Sequence, residues 1–283
     1  MTPRLTLATA LLTGLLAVLP SSPARAQDVQ ITGPLAGAPA CRHCRLYRVG
    51  RFQVQPTVGF TLQDEFSRTI LFGAQANYHF TDWLGIGGFF QFGGVHIDTG
   101  LTDQVTLQGQ TTTRNRLSLP GRELFPEQIG VISWIAGGQL SFIPLRGKLA
   151  LFQKLFIDAD FYVAAGVAAI GIEERADVGG GVCGMMPSGA CDESQVTRAS
   201  RVAVTGTFAA GLMLYANDFF GVSVEWRALP FAWNTSGTDE AGAGPDEAFP
   251  DGQIDSGDRI FHFNHMVNLG FAFYLPIEAT TSE

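Results

Sequence analysis

Beyond its first 26 residues the chain has no continuous apolar stretch of the ~20 residues that a membrane helix needs. A mature protein of this kind can occupy a membrane only as a closed barrel, because lipid leaves no backbone polar group unsatisfied. Lysine is almost missing: Lys148 and Lys154 are the only two, and both lie in one connection. Loss of residues 1–26 leaves 16 basic against 26 acidic side chains, a net charge of −10. So acidic a chain is a poor partner for nucleic acid, and none is expected. Cysteine occurs four times. Cys41-x2-Cys44 falls short of a covalent haem site, since Arg45 stands where that motif has histidine, and no second ligand pair makes a zinc site of it. A local disulfide, or two thiols oxidised after export, fits better. Neither cofactor nor metal is expected.

What is abundant is glycine, with 34 residues, and phenylalanine, with 22, spread through short alternating runs and not pooled in a linker. The chain opens as a secretory signal peptide: Arg4, an apolar run from Leu5 to Leu19, then Ala24-x-Ala26 as a small-residue cleavage pattern, so that residues 1–26 are removed and Gln27 begins the mature chain. Position 27 is glutamine and not cysteine, which argues against a lipid anchor. Residues 27–49, rich in Pro, Gly, Ala and Arg, read as an extended periplasmic segment.

Residues 50–276 then alternate with period two, the mark of strands whose faces meet different solvents. Arg51–Leu62 sets Phe52, Val54, Pro56, Val58 and Phe60 against Gln53, Gln55, Thr57, Gly59 and Thr61. Ile70–Phe80 opposes Ile70, Phe72, Tyr78 and Phe80 to Gly73, Gln75, Asn77 and His79. Leu84–Gly94 keeps one face apolar, with Phe89 an exception on the other. After a long polar segment, Val95–Gly130, come Val131–Leu145, with Ile132, Trp134 and Leu140 opposite Ser133, Gln139 and Ser141, and Ile157–Ile172, with Phe161 and Val167 opposite Asp158, Asp160 and Tyr162. Between these two, Arg146–Phe156 is expected to form an amphipathic helical turn at the membrane surface. Arg201–Tyr215 and Phe220–Pro230 follow. Ile260–Pro276 closes the count at eight, and residues 277–283 form a tail.

The expected fold is all-β, an eight-stranded antiparallel transmembrane barrel with long outer loops. One face of the runs is large and apolar and the other small or polar, which suits lipid outside and a polar lumen inside. Three of the four connections after odd-numbered strands are long, and those after even-numbered strands are short, the alternation of transmembrane barrels. Trp83, Tyr78, Phe80, Phe220, Phe273 and Tyr274 are expected to make an aromatic girdle at the periplasmic side.

The last run carries Asn268, Gly270, Phe273 and Leu275 in an order of polar, glycine, aromatic and hydrophobic that resembles the carboxy-terminal recognition strand of bacterial outer-membrane barrels. The stretch C-R-L-Y-R-V-G-R-F-Q-V-Q-P-T-V-G-F-T-L-Q-D-E-F, the P-L-R-G-K-L-A-L-F connection and the V-E-W-R strand resemble the outer-membrane β-barrel domain family of myxobacteria and their relatives, over about Cys44 to Pro276. That resemblance implies an outer-membrane location, a barrel and, for several members, service to envelope machinery; the even count of eight runs adds that both termini are periplasmic. The partners it suggests are outer-membrane lipid, the barrel-assembly machinery and other envelope proteins.

Inward charges are the sharpest functional candidates, because a charge in a small lumen is costly unless paired. They are His79, Asp158, Asp160, Glu225 and Arg227, lining either a charge-paired plug or a narrow passive pore. Arg227 is expected against Glu225 or one of the aspartates. Cys183 and Cys191 are expected to form a disulfide in the third outer loop. His262 and His265 raise a lipid-modifying hydrolase, but no compact His-x-Ser arrangement accompanies them, and no enzyme is expected. The last loop holds seven acids, Asp239, Glu240, Asp246, Glu247, Asp251, Asp255 and Asp258; it lacks the EF-hand order of ligands and reads as a solvated acidic surface. The expected role is structural or interaction-based.

Overall fold

The computed structural model describes residues 48–62, 64–109, 125–151, 155–175, 198–238, 240 and 256–277. Eight strands follow in order: β1 (Phe52–Leu62), β2 (Ser67–His79), β3 (Leu84–Asp98), β4 (Val131–Leu151), β5 (Leu155–Arg175), β6 (Arg198–Tyr215), β7 (Phe220–Trp233) and β8 (Ile260–Leu275). Each pairs antiparallel with the next, and β1 pairs with β8 from Phe52↔Leu275 to Leu62↔His265, so the sheet closes on itself. The short β2–β3, β4–β5 and β6–β7 turns share one end with the start of β1 and the end of β8. The opposite end carries the long connections.

The alternation faces as the sequence requires. Phe52, Phe72, Phe90, Leu140, Val167, Val204, Phe208, Val224, Leu269 and Phe271 are exposed on the outer wall. Polar residues of the same strands are buried inside. An apolar wall around a polar-centred interior is that of a barrel set in lipid, and each strand, the shortest of 11 residues, is long enough for the ~9–11 residues that cross a bilayer. At the short-turn end the aromatic residues cluster outward: Tyr78 lies 4.7 Å from Phe52 and 5.1 Å from Phe80, and Phe220 lies 5.3 Å from Phe273, between ring centroids. Tyr274 is a correction to this girdle. It is buried and points into the lumen.

Other expectations are corrected as well. Arg146–Phe156 is no helical turn; β4 and β5 continue as a hairpin paired to Leu151↔Leu155. Val95–Gly130 is more than a polar loop, since β3 runs on to Asp98 and two helices follow, α1 (Gly100–Gln108) and α2 (Phe125–Gln128). Ile132 is buried inside, not outside, because a bulge between Ile132 and Trp134 reverses the parity of β4. Nor is the lumen polar throughout, for Leu71, Phe89, Ile135, Ile170, Leu229 and Met266 form an apolar layer across it.

Candidate functional site

Strand β7 gives the order of the lumen. From the short-turn end its inward residues are Gly221, Ser223, Glu225, Arg227, Leu229, Phe231 and Trp233. Glu225 and Arg227 share a face because they are two residues apart in a strand. Arg227 Nε and Nη2 donate to Glu225 Oε1 at 3.0 and 2.8 Å. Nη1 donates to Thr207 Oγ1 on β6 at 3.2 Å, and Nη2 donates also to Gln139 Oε1 on β4 at 2.7 Å. The guanidinium also lies 3.9 Å from the centre of the Phe89 ring on β3, a cation–π contact that explains why that apolar residue faces inward. Glu225 accepts further from the Tyr162 hydroxyl at 3.0 Å and from Asn268 Nδ2 at 3.1 Å.

The network continues around the wall. Gln91 Nε2 donates to Thr57 Oγ1 and to Asn268 Oδ1, each at 3.0 Å. His79 Nε2 donates to Gln53 Oε1 at 3.1 Å, Gln53 to Gln55 at 2.7 Å, and Gln55 to Ser223 Oγ at 2.7 Å. Gln55 reaches Ser223 by crossing Gly270, where a β-carbon would collide with its amide. Gly270 of the recognition pattern therefore makes room inside the barrel, and Asn268 of the same pattern bonds Glu225. Phe273 and Leu275 face outward. All eight strands contribute to this layer, which joins charge to satisfied polar partners as a buried ion pair requires.

The short-turn mouth is closed by residues from before β1. Arg48 is buried, forms an ion pair with Asp160, and has its guanidinium 5.0 Å from the Tyr215 ring centre. Its backbone N–H donates to Asp82 Oδ1 at 2.8 Å. Arg51 donates to the carbonyls of Pro276 and Asp218, each at 2.9 Å, tying the start of β1 to the end of β8 and to the β6–β7 turn. The Tyr215 and Tyr274 hydroxyls meet at 3.0 Å. Asp158 sits half-buried on the same rim. The space left among His79, Ser141, Asp160 and these tyrosines is about 20 Å³, enough for a water and little else.

Above the apolar layer a second charged group spans the long-loop mouth. Glu174 accepts from Arg201 Nε at 2.6 Å and Arg259 Nε at 2.7 Å. Arg175 Nη1 donates to Gln128 Oε1 at 2.6 Å and to the Gly237 carbonyl at 3.1 Å, holding α2 over the opening. Gly237 has φ +64°, and a β-carbon there would meet the Gln128 carbonyl. On the rim a cavity of about 170 Å³ is lined by Leu62, Asp64, Glu65, Thr235, His262, Phe263 and Asn264. Burial pushes the Asp64 carboxyl up to about 6, against the opposing pull of a Thr61 hydrogen bond and the Arg68 charge.

His262 and His265 do not share a site: His265 stacks 5.4 Å from Trp226 on the outer wall, while His262 lines the rim cavity. Cys41, Cys44, Cys183, Cys191 and, of the acidic loop, Asp239, Asp246, Glu247, Asp251 and Asp255 lie outside the described residues. Among the described residues no group of three or more His, Cys, Asp or Glu is placed to hold a metal ion. The sequence leaves Arg48 and Thr207 unmarked, and puts Gln139 and Asn268 on the small or polar face without assigning their bonds. A basic residue just ahead of the first strand was the available signal for Arg48; the others depend on inter-strand register.

No protein-family model and no curated protein matches the chain. Among solved structures it is similar to the N-terminal β-barrel domain of Pseudomonas aeruginosa OprF, at 10% identity and TM-score 0.40 over 80% of this chain and 98% of that one. It is similar also to the outer membrane protein OprG from Pseudomonas aeruginosa, at 11% identity and TM-score 0.40 over 81% and 97%, and to Ail, the attachment invasion locus protein of Yersinia pestis, at 10% identity and TM-score 0.33 over 80% and 99%. The barrel itself rests on the strand pairing, which closes through eight antiparallel neighbours.

Proposed function

We propose that the chain is a small outer-membrane barrel of a Gram-negative envelope, of the myxobacterial kind its sequence resembles, with a structural or interaction role and a lumen that does not conduct. The filled lumen carries this reading. From one mouth to the other it holds the Arg48–Asp160 pair, the Glu225–Arg227 network, an apolar layer and the Glu174 cluster. Eight strands leave an interior that side chains can fill, and these do. With the passage closed, the surfaces left for work are the long loops and residues 27–49.

Short turns of outer-membrane barrels face the periplasm, so the start of β1, the end of β8 and residues 27–49 are assigned there. Lipid covers the wall, the barrel-assembly machinery reads β8, and envelope proteins are the further partners. The separation of His262 from His265 supports a non-catalytic role. Photo-crosslinkers placed in the long loops and in residues 27–49 of the full chain, in its native envelope, should capture a discrete envelope component. Capture at none of these positions, with solute flux through the purified protein in liposomes, would replace this reading by a passive pore.

A further inference from the structure

The barrel wall is notched where β1 meets β8. Pairing of β7 with β8 runs to Trp233↔Ile260, but pairing of β1 with β8 stops at Leu62↔His265. Among the described residues, 260–264 of β8 are therefore paired on one side only, and the rim cavity of about 170 Å³ lies in the gap that β1 leaves as it turns into β2. Alternation sets its two sides. Leu62 and Phe263 have outward parity, toward lipid, and His262 and Asn264 have inward parity.

The fold holds these walls in place. Asn264 has both ends of its amide occupied, Oδ1 by Trp233 Nε1 at 3.0 Å and Nδ2 by the Leu229 carbonyl at 3.1 Å. The Thr235 carbonyl accepts from the Gly130 N–H at 3.0 Å. The turn that carries Asp64 and Glu65 is pinned by Thr99, whose hydroxyl donates to the Glu65 carbonyl and whose N–H donates to the Phe66 carbonyl. The lining still offers the Asp64 and Glu65 carboxyls, the Thr235 hydroxyl and His262 Nε2, which is buried and has no hydrogen-bond partner among the described residues.

Carboxylates, a hydroxyl and the bare nitrogen of a neutral imidazole all accept hydrogen bonds, and no lysine or arginine is among the described lining residues. Such a set calls for a cation. A metal ion fits it poorly, because among the described residues no three His, Cys, Asp or Glu converge as ligands, and the space is several times the ~30 Å³ of a water. An organic ammonium fits better. Its N–H groups donate, its charge offsets the burial that disfavours the Asp64 carboxylate, and Leu62 and Phe263 give its carbon chain an apolar exit toward lipid.

We propose that this notch binds a primary ammonium group on a short alkyl chain, held by Asp64, Glu65 and His262. The amine belongs to a lipid headgroup or to a soluble molecule. The site goes beyond the loop partners proposed above, and it stands whether or not the lumen conducts. The test is NMR of the full chain in detergent micelles near neutral pH, with nitrogen-15 in histidine and the His262 signals assigned from His262→Gln. Ethanolamine should shift the His262 ring signals saturably, and ethylene glycol, which lacks the charge, should not. Asp64→Asn should weaken ethanolamine binding about tenfold or more, as loss of a charge-assisted hydrogen bond does, and Glu65→Gln should weaken it less. Burial of Asp64 makes its asparagine variant at least as stable as the parent, so a lost response is lost binding.

Bicelles separate the two sources. A His262 shift in phosphatidylethanolamine and not in phosphatidylcholine marks a lipid headgroup, whereas equal spectra in both, with ethanolamine still bound in micelles, mark a soluble amine. No shift with either ethanolamine or phosphatidylethanolamine, an equal response to ethylene glycol, or an ethanolamine affinity unchanged in Asp64→Asn would overturn the site. Displacement of ethanolamine by equimolar calcium would overturn it too, in favour of a metal.

Discussion

Arg227 is the residue on which the interior turns, since beyond Glu225 of its own strand it bonds to two other strands and stacks on Phe89 of a third. Arg227→Ala leaves Glu225 buried without its cation, and a cost of about 3 to 5 kcal/mol is expected for an ion pair broken from one side. Glu225→Leu with Arg227→Met removes both charges and should cost less, as read from denaturant unfolding in detergent. Asp64 gives a pH test at the rim. Its folded value near 6 lies above the ordinary 3.8, so its contribution is fully present at acid pH and is lost as pH rises through 6. Asp64→Asn should flatten the stability profile between pH 4 and 7. It should gain about 1 kcal/mol at pH 7, less than the ~3 kcal/mol such a shift represents, because water reaches the rim. An unchanged profile would mean that Asp64 is solvated in both states. The Glu225–Arg227 pair was legible in the sequence because residues i and i+2 of a strand share a face. Its partners on other strands were not, because one strand's alternation carries no register with the next.

At the scale of elements, close packing of β5 on β6 depends on a missing side chain. The Tyr162 ring lies over Gly211, directly across the ladder, and a β-carbon there would overlap it. Gly211→Ala should therefore destabilise the barrel by about 1 to 3 kcal/mol, as overpacking does, and Tyr162→Leu in the same chain should recover part of that loss. Purely additive effects of the two changes in thermal unfolding would refute the contact. Strand existence was readable from alternation alone, while strand ends were not. Bulges in β4, after Ile132 and after Phe142, shift its parity, so Ile132 faces the lumen where alternation predicts lipid, and β4 runs on to Leu151 where a helical turn is expected.

At the scale of the whole molecule, the sequence implies a polar lumen with a charge-paired plug as one of its two readings, and the structure adds an apolar layer and a second charged cluster at the long-loop mouth. Leu71 and Ile135 fall on the inward parity of their runs but break its small or polar character, and only the pairing shows that they meet in one layer; Arg48 stands outside any periodic run. The consequence is a barrel stabilised by what fills it, with both mouths closed by arginine–carboxylate pairs. The direct measurement is conductance of the purified full chain in planar bilayers under applied voltage. The filled lumen predicts no steady current for the wild-type protein, and none for Arg48→Ala while the Glu225–Arg227 layer remains. Reproducible ohmic steps from the wild-type chain, undiminished when Glu225 and Arg227 are both replaced, would contradict a closed interior.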